Sequence, residues 1–109
     1  MLLFYVTRLF AYFYTMEFVN NKREFRFEAQ LEDGEFARLD YRWLKGNMVL
    51  MHTVVPPAHK GKGIGGALVK YVLDHVRQHH LKVIIYCRFA DKYVKEPEYS
   101  DLLANQPNN

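Results

Sequence analysis

A single cysteine, Cys87, occurs in the 109 residues, so no disulfide can form within the chain, and a reducing compartment, the cytoplasm, is expected. Neither charge sign dominates: 15 Lys and Arg stand against 12 Asp and Glu, giving a net charge of +3 and a pI near 9.0. That balance suits an anionic ligand but is too weak and too dispersed for a nucleic-acid-binding face. No uninterrupted apolar run reaches the roughly 20 residues a membrane-spanning helix needs. Internal repeats and low-complexity tracts are missing as well. Disorder is excluded by composition, since 50% of the residues are apolar and 16% aromatic. The length suits one domain with a real core. Glycine is scarce too, yet four of its six positions fall between Gly61 and Gly66.

Residues 1–15 (MLLFYVTRLFAYFYT) are apolar and aromatic, broken by Arg8 and two threonines. They are too short to span a bilayer and lack the charged start and small-residue cleavage site of a signal peptide. We read them as an N-terminal extension, with the functional domain starting at Met16 and running to residue 104. A membrane-surface anchor and an extra element docked on the domain are the other readings. Residues 105–109 are expected to form a frayed tail.

Within the domain, Glu24 to Leu31 alternates strictly, with Phe25, Phe27, Ala29 and Leu31 on one face and Glu24, Arg26, Glu28 and Gln30 on the other. Period two predicts a half-buried strand. Asp33-Gly34 then predicts a type I′ hairpin turn. The next strand, about Glu35 to Leu44, turns Ala37, Leu39, Tyr41 and Trp43 inward. Lys45-Gly46-Asn47 turns the chain again, and the nearly continuous apolar run Met48 to Val55 predicts a strand covered on both faces. Pro56-Pro57 ends it. A helix is expected from about Gly63 to His79, with Ile64, Leu68, Val72 and Val76 as its apolar stripe. A short strand, Lys82 to Cys87, and a short helix, about Ala90 to Lys95, follow; Tyr99 to Leu103 docks back onto the body. The class is therefore α/β: an antiparallel meander, then a β-α-β unit with parallel strands and a short C-terminal helix. Ligands of such sheets lie beyond the strands' carboxyl ends, so topology predicts that Gly61–Gly66 and Cys87 lie close together.

The glycine-rich turn opens a helix, where first-turn N–H groups and the helix dipole favour an anion. A structural loop that merely needs positive φ is the alternative. A phosphate-binding G-x-x-x-x-G-K-[ST] run does not occur, and neither does a dinucleotide fingerprint close after a first strand.

Lys60-x-x-Gly63-x-Gly65 resembles the Arg/Gln-x-x-Gly-x-Gly/Ala signature of the GCN5-related N-acetyltransferases. Together with His52-Thr53, Gly61-Lys62-Gly63-Ile64-Gly65, Cys87, Tyr93 and Pro97-Glu98-Tyr99, it makes the chain similar to the small, minimal acetyltransferase-like group of that superfamily, over roughly Phe18 to Leu103. The resemblance implies a minimal, sandwich-like acyl-coenzyme A N-acyltransferase fold. It also implies acetyl-coenzyme A as co-substrate and transfer of the acetyl group to an amine, either a small molecule or a protein lysine or N-terminus. By the same resemblance, backbone N–H groups from Gly61, Lys62, Gly63, Ile64, Gly65 and Gly66, beside Lys60, hold the pyrophosphate. Val54 and Val55 pair through their backbones with the pantetheine arm. Lys60 departs from the pattern, giving a point charge where Arg or Gln is usual. Arg88 and Glu96 stand where Pro and His are common.

Three residues are candidates for the chemistry. Cys87 is either a buried structural thiol or a thiolate that carries the acetyl group in passing. His52, on a neighbouring strand, is either a core histidine or the base for that thiol. Tyr93 either packs the short helix or, as the resemblance implies, protonates the departing coenzyme A thiolate. His75, His79 and His80 lack a completing acid or cysteine, and helix-end histidines are favoured by the dipole, so no metal is expected. A non-catalytic acyl-coenzyme A sensor or protein-interaction module is the alternative function, because the open, truncated domain lacks the flanking elements with which larger relatives build an acceptor site.

Overall fold

The computed structural model describes residues 16–104; the expected N-terminal extension and C-terminal tail lie outside the described residues. Five strands form one sheet in the order β1 (Phe18–Asn21), β2 (Arg26–Gln30), β3 (Phe36–Leu44), β4 (Asn47–Val54) and β5 (Val83–Ile85). The first four are antiparallel neighbours and β5 joins β4 in parallel, the arrangement that a helical crossover requires. The crossover is α1 (Ile64–Gln78), and α2 (Arg88–Val94) follows β5 directly. No described helix is long and apolar enough to cross a membrane.

The expected stripe packs α1 on the sheet: Ile64, Leu68, Val72 and Val76, widened by Val69 and Leu73, are at most 1% exposed. They meet Phe27, Ala29, Ala37, Leu39, Tyr41 and Leu50 from the strands in one core. A 3₁₀ turn over Ser100–Leu102 closes that core, with Tyr99 donating to Asp74 of α1 at 3.1 Å.

Several local expectations are corrected. Phe25 sits at φ 55° in the β1–β2 turn, before the strand begins, and is 43% exposed. Glu28 is 8% exposed and not a solvent-facing residue. Its carboxylate accepts from Asn21 at 2.9 Å and from Arg26 at 2.7 Å, which compensates its burial. Trp43 lies beyond the helix's cover, 47% exposed. The Asp33-Gly34 hairpin is not type I′: only Gly34 has positive φ, and Gly34 N–H donates to Leu31 O while Leu31 N–H donates to Glu35 O. That is a three-residue loop with Gly34 in the left-handed position. The two-residue turn with both central residues at positive φ is instead Lys45-Gly46. The strand expected to reach Cys87 stops at Ile85, and the short helix begins at Arg88. Strand β1 has no counterpart in the sequence pattern, because four residues without alternation carry little signal.

Strand β4 is covered on both faces only at Met48, Val49 and Leu50, all at most 4% exposed. After Leu50 its pairing with β3 shifts by one: Leu50 faces Tyr41, but His52 faces Asp40. Met51 is the extra residue of a β-bulge. Pairing of β4 with β5 also ends at Leu50↔Ile85, although β4 continues to Val54. The two parallel strands therefore part, and the site lies in the gap.

Candidate active site

A cavity of about 410 Å³ opens beside the parted end of β4, lined by Thr53, Val55, His59–Gly61, Gly63–Gly66, Phe89 and Tyr93. Its floor is the N-terminus of α1. Gly63 caps that helix at φ 81° with no side-chain bond, and no acidic residue lies in the first turn. The amides of Ile64, Gly65 and Gly66 have no intrahelical acceptor at these positions, so a concentration of donors and partial positive charge lies at the cavity.

The four glycines are small for two different reasons. Gly61 and Gly63 adopt φ of 82° and 81°, which β-carbons disfavour. Gly65 and Gly66 instead make room for rings from α2. A Cβ on Gly65 would lie 3.0 Å from Phe89 Cζ, and one on Gly66 would overlap the Tyr93 hydroxyl. Phe89 and Tyr93 lie 5.6 Å apart between ring centres, with the Lys92 ammonium 4.7 Å from the Phe89 centroid. Phe89 was not anticipated; its spacing of four from Tyr93 on a short helix was the available signal.

The bulge decides which β4 side chains reach the cavity. Successive side chains on a strand alternate, and one inserted residue exchanges the faces. Leu50 points to the core with Tyr41; beyond the bulge Thr53, opposite Leu39, and Val55 continue that face. His52 and Val54 fall on the other face and are exposed. His52 is neither of the two alternatives, being exposed and not paired with Cys87: the side chain that meets Cys87 Sγ is Thr53, its Oγ1 3.2 Å away. Cys87 is 5% exposed and lies at a second, more open recess of about 500 Å³ with Ile85, Tyr86, Arg88 and Asp91. Through Thr53, a lining residue of the first cavity, the glycine-rich turn and Cys87 are brought to one region. Tyr93 and Lys60 reach the cavity, whereas Val54 and Lys62 are exposed outside its lining.

His59, a residue with no sequence signal of its own, is the buried member of an otherwise exposed segment, at 5%. Its Nε2 lies 2.6 Å from Asp33 Oδ2 on the β2–β3 hairpin and 3.9 Å from Glu35 Oε2. These three residues each offer a ligand atom within 4.8 Å, a closeness the His59–Asp33 hydrogen bond already accounts for. The bond from His59, helped by the Glu35 backbone N–H, holds the Asp33 carboxyl below its ordinary range. His75 and His79 stack at 4.1 Å on α1, far along the helix from this turn. Burial, then the neighbouring His79 and Lys22, push the His75 pKa down.

Comparison with known proteins gives a consistent answer. A family model described as GCN5-related N-acetyl-transferase matches residues 26–102. Protein NATD1 of Mus musculus is 44% identical over 71 residues, which are 62% of this chain and 64% of that protein. NATD1 of Homo sapiens is 41% identical over 71 residues, covering 62% and 63%. The match thus spans less than two thirds of those relatives. Among solved structures, the solution structure of a GCN5-like protein from Staphylococcus aureus aligns with a TM-score of 0.63 at 30% identity, covering 84% of this chain and 90% of that one.

Proposed function

The chain belongs to the GCN5-related N-acetyltransferases, and from that premise we propose that it binds acetyl-coenzyme A in the glycine-floored cavity and transfers the acetyl group to an amine. The observation that carries this reading is the uncapped N-terminus of α1, with three donor amides and no acid in its first turn, opening onto the cavity. The pyrophosphate lies against the Gly61–Gly66 backbone with Lys60 beside it. Beyond Leu50, β4 has an edge that β5 does not pair, and the pantetheine amides add to it as a short strand along Val54 and Val55.

In direct transfer the amine lone pair attacks the thioester carbonyl carbon. The C–N bond forms, the C–S bond breaks, the Tyr93 hydroxyl protonates the departing thiolate, and the proton the amine gives up returns through water to the Tyr93 phenolate. In the covalent route the Cys87 thiolate attacks first, coenzyme A leaves, and the amine then takes the acetyl group from sulfur. Thr53 at 3.2 Å orients the thiol in that case. Among the described residues no carboxylate lines the cavity, and its one histidine, His59, is held by Asp33. The acceptor must therefore arrive as the free amine. The same lack of a base favours the second reading, an acyl-coenzyme A-binding module without turnover.

Calorimetric titration with acetyl-coenzyme A, followed by thiol release on a panel of small amines and lysine peptides, tests both. Binding with turnover is expected. Binding without turnover on any acceptor supports the module, and no binding overturns both. Cys87→Ala then separates the routes: unchanged turnover eliminates acetyl-Cys87.

A further inference from the structure

The glycine-rich turn is the softest part of the cavity. Gly61 and Gly63 fix none of their own dihedrals by sterics, and ordering such residues costs more entropy than ordering any others. Something else must hold the turn in shape. The described side-chain bond that ties this segment to a distant element is His59 Nε2 to Asp33 Oδ2, 2.6 Å across 26 residues of sequence. Asp33 is itself oriented, since its Oδ1 accepts the Glu35 N–H at 3.0 Å within the hairpin.

We propose that the His59–Asp33 pair is a latch that locks the glycine-rich turn in its phosphate-binding shape, His59 being a positioning residue and the β2–β3 hairpin its anchor. This rests on the reading that the turn holds the pyrophosphate of coenzyme A, and assigns a function to two residues that touch no reacting atom. The ring has one polar anchor. His59 Nδ1 is buried with no hydrogen-bond partner among the described residues, and the Glu35 carboxylate stands 3.9 Å from Nε2, beyond hydrogen-bond reach, so loss of Asp33 leaves a buried imidazole with neither nitrogen bonded. The ring then leaves its site for water, and the segment it belongs to moves with it. His59 is followed directly by Lys60 and Gly61, so any displacement of the ring is passed to the first residues of the cradle.

The test uses the whole chain and four variants: His59→Ala, Asp33→Ala, the double variant, and the conservative Asp33→Asn, which retains an oxygen acceptor. Titration with coenzyme A is set against titration with pantetheine, which lacks the pyrophosphate. Each alanine variant is expected to bind coenzyme A about tenfold more weakly, the size of one lost charge-assisted hydrogen bond, with pantetheine unchanged. The double variant should be no worse than either single one, because the two residues act as a unit. Asp33→Asn should stay within about threefold of the parent. Equal losses for both ligands, additive losses in the double variant, or no loss would overturn the latch. Amide exchange of residues 60–66 in the ligand-free protein reads the latch by itself. It should quicken in both alanine variants with the core strands unchanged, and unchanged exchange also sinks the proposal. If the parent binds no coenzyme A, the pyrophosphate reading fails, and the exchange experiment still decides whether the latch exists.

Discussion

Two residues on β4 carry the sharpest contrast at the smallest scale. His52 and Thr53 are adjacent, yet only Thr53 faces the cavity and meets the Cys87 thiol at 3.2 Å. Thr53→Val, close in shape but without the hydroxyl, is expected to lower turnover at saturating acetyl-coenzyme A by about tenfold if that hydrogen bond orients the thiol. His52→Ala should leave it within about twofold, since an exposed side chain on the opposite face has no part in a step worth 1.4 kcal/mol per tenfold. The reverse ranking in steady-state kinetics would restore His52 as the base. Gly66 offers a second test. Ala in a helix is favoured over Gly by up to about 1 kcal/mol, less in the first turn where Gly66 lies, and an overlapping methyl costs about 1–3 kcal/mol. The overlapped atom is the tip of Tyr93, which can swing aside, so the melting temperature of Gly66→Ala should change little. Its turnover should fall by about a hundredfold if Tyr93 protonates the leaving thiolate, the usual worth of such a group. Adding Tyr93→Phe should raise stability without restoring activity. Full activity in Gly66→Ala would take Tyr93 out of the proton path.

Among the elements, those with strong periodicity were legible in the sequence. The stripe of α1, the alternation of Phe27, Ala29 and Leu31, and the turn before the helix all read correctly because burial imposes a period on each. The face of β4 did not, since its apolar run alternates nowhere and the bulge at Met51 leaves no mark in residue type. Thus topology brings the glycine-rich turn and Cys87 to one region as expected, while the β4 side chain at the thiol is Thr53 and not His52. The hairpin types were likewise hidden: Asp-Gly and Lys-Gly pairs look alike until loop length is known. At the C-terminus the Tyr99–Asp74 bond docks the last 3₁₀ turn on α1, and it has a pH signature. Burial, then the Asp74 carboxylate, push the Tyr99 hydroxyl from 10.0 up to about 12. A raised folded-state value means the contribution is full below pH 10.0 and is lost as pH rises through about 12. Melting temperatures of the parent chain should fall more steeply across that window than those of Tyr99→Phe, which has no proton to lose. Parallel curves would refute the docking role.

Over the whole molecule a net charge of +3 is too small to steer an anion by itself, so its distribution matters. Lys60 and Lys62 flank the turn, the Lys70 ammonium stands 5.9 Å from the Tyr93 ring centre, and that of Lys92 stands 4.7 Å from the Phe89 centre. Lys60 lines the cavity and the other three lie on the turn or beside its two lining rings, while strands β2 and β3 cancel charge in pairs such as Arg26–Glu28 and Arg38–Asp40. Exposed cations act through solvent, and their reach shrinks from about 10 Å at 0.1 M salt to about 3 Å at 1 M. Coenzyme A affinity should therefore drop by roughly tenfold between 0.05 and 0.5 M salt, and pantetheine affinity should not move. Replacing Lys60 and Lys62 together by alanine should flatten the coenzyme A slope. Lys45→Ala, at the far β3–β4 hairpin, should lower neither slope nor affinity if placement and not total charge is what binds. Equal flattening by Lys45→Ala would mean that the basic surface attracts anions generally, and the cavity would lose its electrostatic claim to the phosphates.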